Sequence, residues 1–107
     1  QEAKAYERYY VHEQGDWQCV RSMLATFLPN SESLPPESSK AIAANMIAGY
    51  GALPLVGTPE RIVEGMLAMS DVGMDGITLC WVDFDEGLVQ FEEQLLPLMI
   101  QAGLRQS

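Results

Sequence analysis

The sequence predicts an α/β chain in which two parallel strands are joined by a crossover helix. Three observations lead there. Residues 53–57 end an apolar run at Gly57-Thr58-Pro59-Glu60, where helical spacing begins. Residues 76–82, GITLCWV, are apolar throughout, so a strand there has both faces buried, as in a parallel sheet. Between them, Ile62, Val63, Met66 and Leu67 recur at helical steps. A parallel pair needs such a crossover, which is nearly always right-handed. Two strands cannot be covered on both faces by themselves, so the pattern reads as the end of a larger α/β sheet or barrel.

Each element has its own local reasons. In residues 2–14, Ala3, Tyr6, Tyr9 and Tyr10 make one aromatic face, and Gly15 ends the helix. Asp16 caps a second helix, in which Trp17, Val20, Leu24 and Phe27 recur every three or four residues. LPNSESLPPESS is a turn-rich linker, and its Pro36 suits the first position of a helix over 36–48. That helix buries Ile42, Met46 and Ile47, and Gly49-Tyr50-Gly51 closes it. Leu53, Leu55 and Val56 then make the short first strand.

Thr58 is the N-cap of the crossover helix, 58–72, with Pro59 presetting φ and Glu60 facing the positive end of the dipole. Gly73 closes it, because the residue after a C-cap often needs positive φ. Asp83 and Glu86 form a D-x-x-E start for the last helix, whose inner side is Leu88, Phe91, Leu95 and Met99. Pro97 breaks or kinks that helix before its final turn. The organisation is thus a helical segment over 1–48 followed by a β-α-β-α unit over 49–107.

Composition narrows the function classes. Fifteen acidic residues face six basic ones, a formal charge of −9, and the basic residues are scattered singly. No stripe is present to neutralise a phosphate backbone or an anionic bilayer, which disfavours nucleic-acid and membrane partners. The uncharged stretch 41–59 contains Asn45, Gly49, Gly51 and Pro54, so it reads as a helix end, a turn and a strand rather than a span. No basic head precedes an apolar core at the N-terminus, as a signal peptide would need. Cys19 and Cys80 share no metal-ligand spacing and read as buried, reduced thiols of a cytoplasmic protein. The opening QEAKAYERYY begins without methionine and already in helical pattern, as a piece of something longer would.

The residues from Gly49 onward carry a resemblance. Gly57-Thr58-Pro59-Glu60-Arg61-Ile62, then Gly73-Met74-Asp75-Gly76-Ile77, then Phe91 through Pro97 follow in the order and spacing of the C-terminal end of the bacterial luciferase-like, flavin-dependent monooxygenases. About half of the chain is covered. Residues 1–48 resemble, less specifically, the helical region of the sulfone- and alkanesulfonate-type members. The resemblance implies a (β/α)8 TIM barrel, of which this chain would hold the last two strands. It also implies an enzyme that uses reduced FMN and O2 to oxygenate a small organic substrate, with a separate flavin reductase. The family's main flavin-phosphate contacts and its catalytic histidine lie on earlier strands, so catalytic residues are not assigned here and the chain alone is expected to be inactive.

Barrel sites form at the C-terminal ends of strands. That placement makes Gly57, Thr58, Trp81, Asp83 and Phe84 the candidates for cofactor binding or for the substrate pocket. Each also has a plain structural role: Thr58 and Asp83 as caps, Trp81 and Phe84 as packing. His12, the lone histidine, has no metal-ligand companions and reads as a surface or packing residue. Gly49 and Gly51 make no phosphate loop, since no lysine follows. Two other functions fit the same residues: a non-catalytic helical or α/β dimerisation module, and a deazaflavin-dependent oxidoreductase of the same superfamily. Strand edges without partners further imply a homo-oligomer, with residues 53–57 or 76–82 at the contact.

Overall fold

Glu2–Arg8 forms α1, with Glu2 at its positive end and Arg8 at its negative end. The helix then widens into a π-helical turn, Tyr9–Glu13, where the Gln14 N–H donates to the Tyr9 carbonyl at 3.0 Å. The Val11 carbonyl accepts instead from the Trp17 indole N–H at 3.1 Å, which ties the turn to the next helix. Gly15 stands between them because a Cβ there would collide with the Val11 carbonyl and with Ile47. These contacts belong to a computed structural model that describes residues 1–30 and 33–106. Ser31 and Glu32 of the predicted linker lie outside the described residues.

Trp17–Phe27 is α2, capped as expected: the Asp16 carboxylate accepts from the Cys19 N–H at 2.8 Å. Pro36–Gly49 is α3, with proline in its first turn. It ends in a left-handed turn at Tyr50 (φ 57°) and Gly51 (φ 83°), whose N–H groups return to the Met46 and Asn45 carbonyls. Val20, Leu24 and Ala43 form the core between α2 and α3, with Trp17, Ile42, Met46 and Ile47 packed around it. Val11 is the most deeply buried residue of the π turn. Phe27, expected inside, is exposed, as are Tyr6 and Tyr9. Gln1–Pro54 makes up this first unit.

The second unit is Leu55–Ser107. Pro59–Asp71 is α4, with Thr58 at its N-cap accepting from the Arg61 N–H at 3.5 Å. Its end is a Schellman motif: Gly73, at φ 98°, donates to the Ser70 carbonyl, and Met74 donates to the Met69 carbonyl. Phe84–Gln90 is α5, capped by Asp83, whose carboxylate accepts from the Glu86 N–H at 3.1 Å. The helix runs on through a π-helical turn, Phe91–Leu95, into α6, Leu96–Gln101. Proline at 97 lacks an N–H and crowds the carbonyl four residues back. The chain stays helical through the proline, and the expected disturbance takes the form of the wider π-helical turn just before it. Val63, Met66 and Leu95 are buried where α4 meets this last helix, whereas Leu88, expected inside, is exposed.

The predicted α/β architecture is overturned. Among the described residues there is no strand and no sheet, and every regular element is a helix. Residues 53–57 and 76–82 are irregular, and no backbone hydrogen bond joins them. The physical reason is that a strand exists only as one side of a ladder, whereas a helix closes its own hydrogen bonds. An apolar run satisfies the requirements for burial without supplying the partner. The chain therefore holds no part of a TIM barrel in this structure: Leu53 is 67% exposed and Val82 56%. The cysteines correct a second expectation. Cys19 and Cys80 are free and exposed, because Cys19 lies off the Val20–Leu24 stripe and Cys80 lies in the irregular segment.

Candidate functional site

The sequence-predicted candidates occupy two separate places in the second unit. Trp81, Asp83 and Phe84 come together at the start of α5. The Trp81 ring stands edge-on to Phe84 at 5.7 Å and to Phe91 at 6.0 Å. Gly87 lies against the same indole so closely that a Cβ there would overlap the ring. Asp83 is occupied as the cap of α5. Gly57 and Thr58 sit at the start of α4, where their near neighbour is Arg61. Glu60 joins that cap: backbone hydrogen bonding and the Thr58 hydroxyl hold its carboxyl below its ordinary value of 4.5.

Neither place fits a flavin. The Trp81 ring that an isoalloxazine would need to stack on already packs against Phe84, Phe91 and Gly87. A phosphate needs cations or open helix-end N–H groups. The start of α5 carries Asp83, Asp85 and Glu86, and the start of α4 carries Glu60. Arg61 and Arg105 are the second unit's only basic residues, one on each of two different segments. Without strand ends the five candidates are not gathered at one place: Thr58 and Asp83 are helix caps, Trp81 and Phe84 pack against each other, and Gly57 lies beside Arg61.

A different site lies in the first unit. Between α2 and α3 there is a half-open groove of about 540 Å³. Leu24, Ile42 and Ala43 make its floor, Leu28 and Leu34 an apolar wall. Its rim carries His12, Trp17, Arg21 and Lys40. His12 stacks on Trp17 with ring centroids 5.6 Å apart and planes 21° from parallel, and the indole is itself pinned through its N–H to Val11. Sequence reasoning placed Trp17 and Leu24 in a core and missed Arg21 and Lys40. One signal was available: Arg21 is one helical turn beyond Trp17, hence on the same face. Lys40 offered none, since its place on the groove depends on how α3 packs on α2.

Where α1 passes into the π-helical turn, Tyr6 and Tyr10 meet edge-on at 5.2 Å. Burial, then the charge of Glu7 and the neighbouring Tyr6, push the Tyr10 hydroxyl above its ordinary value of 10.0. Among the described residues no group of histidine, cysteine and carboxylate side chains is arranged to hold a metal. Nor is any helix among them long and apolar enough to cross a membrane. Compared with protein-family models, curated proteins and solved structures, the chain matches none.

Proposed function

We propose that this chain forms part of a flavin-dependent monooxygenase of the bacterial luciferase-like kind, which oxygenates a small organic substrate with O2 and reduced FMN from a separate reductase. One observation carries it: three motifs, Gly57–Ile62, Gly73–Ile77 and Phe91–Pro97, occur in the family's order and spacing. The barrel expectation lends it nothing, because that fold is not formed here. Nor does this chain supply the flavin site, since the residues at both helix starts are acidic or already engaged. Its part is then structural, and the chemistry belongs to residues elsewhere.

The test uses the native protein, recovered from its source with an antibody against this chain. Its intact mass is measured, and it is supplied with FMN, NADH, a flavin reductase and 18O2. Sulfonate, sulfone and aldehyde substrates are offered in turn. Substrate-dependent incorporation of one labelled oxygen atom is expected. A native protein of this chain's mass that incorporates none would overturn the proposal.

A second reading has its own observation. Val72, Met74, Ile77, Val82, Phe84, Leu88 and Val89 are large, apolar and exposed within eighteen consecutive residues. So many large apolar side chains left in water along one stretch favour a partner that covers them. The stretch favours a non-catalytic module that self-associates into a homo-oligomer.

A further inference from the structure

We infer that the groove between α2 and α3 binds a carboxylate with an apolar tail, of the medium-chain fatty-acid type. This stands apart from the monooxygenase proposal and shares no residue with it. The groove's volume, about 540 Å³, lies within the range of small-molecule pockets, roughly 300–1,000 Å³. Its floor is apolar: Leu24 and Ala43 are buried side chains of the first unit's core, and Ile42 packs beside them.

Charge decides the head group. The chain carries −9 overall, so its general field repels anions. Yet Arg21 and Lys40, two of its six basic residues, line this one groove, and no carboxylate lines it among the described residues. Local charge complementarity therefore runs against the sign of the whole molecule. The arginine fork matches a carboxylate in shape as well as sign. A tail over Leu24 and Ile42 would leave the head to the basic residues of the same groove, Arg21 and Lys40, and the Trp17 ring. The indole is held in place by its hydrogen bond to Val11 and by His12 stacked on it, so this wall is formed before a ligand arrives.

Both cations are partly in solvent, which limits their effect. A preference of roughly three- to tenfold for the charged over the neutral ligand is what two such contacts supply. The experiment titrates the protein with sodium decanoate and, separately, with decanol, following the Trp17 indole N–H and the Ala43 amide by two-dimensional NMR. Both signals should shift, with decanoate bound several-fold more tightly. In the double variant Arg21→Gln, Lys40→Gln the decanoate preference should vanish while decanol binding persists, which also reports an intact groove. Equal affinity of the unaltered protein for both ligands would overturn the inference. So would shifts absent from both signals, or a decanoate preference that survives the double variant.

Discussion

At the scale of single residues, the strongest structural roles belong to groups that the sequence marks weakly. Gly87 is an example. It is buried in α5 with the Trp81 ring where a side chain would begin. Gly87→Ala should gain up to about 1 kcal/mol of helix propensity but force the indole aside at a cost of about 1–3 kcal/mol. A net loss is expected, read by chemical denaturation together with a change in Trp81 fluorescence. Glu60 makes a pH-dependent contribution. Its folded pKa is depressed, so its stabilisation is present above the unfolded value and is lost as pH falls through the folded one. Glu60→Gln should therefore melt below the unaltered protein at neutral pH, and the difference should close on acidification below the ordinary value of 4.5. Thermal melts of both proteins across that window check the sign.

At the scale of elements, helix ends were legible and strands were not, for one reason. A cap is decided within four residues. Asp16, Thr58 and Asp83 each accept from the N–H three positions on, and Gly73 takes the positive φ its position requires. A strand is decided by a partner that may lie anywhere, and GITLCWV carries no mark of whether one is present. The π turns were hidden too: Pro97 announced a disturbance, but not that it would take the form of a wider turn before it. The five candidate residues were chosen as strand ends, so without strands they fall at two separate helix starts. Tyr50 shows an element end that sequence alone left ambiguous. Of Gly49, Tyr50 and Gly51, the tyrosine joins Gly51 in the left-handed region, at φ 57°, with its side chain 70% exposed. A non-glycine residue there costs about 1–2 kcal/mol. Tyr50→Gly should recover roughly 1 kcal/mol, net of the extra freedom glycine gives the unfolded chain. A higher denaturation midpoint with an unchanged slope is the expected result.

At the scale of the whole molecule, the surface of the second unit argues for association. Among the described residues of the stretch 72–89, Ile77 is 41% exposed, Met74 53%, Phe84 53% and Val82 56%. Fully burying a side chain of this size is worth roughly 1.5–3 kcal/mol, so each forfeits on the order of half that while in water. A domain's whole stability is only about 5–15 kcal/mol, so the sum is comparable with what holds the fold together. The open backbone of residues 76–82 adds to the drive, because none of its N–H groups donates to another backbone carbonyl. Covering this stretch with a second copy would recover both terms at once, by apolar contact and by backbone pairing. Sedimentation equilibrium should then show the average mass rising with concentration above that of one chain. Ile77→Lys with Val82→Lys, both at exposed positions outside any helix, should return the protein to a single-chain mass while leaving its helical circular dichroism unchanged. A mass independent of concentration in the unaltered protein would show that these side chains stay in water, and that the second reading of function has no surface to act through.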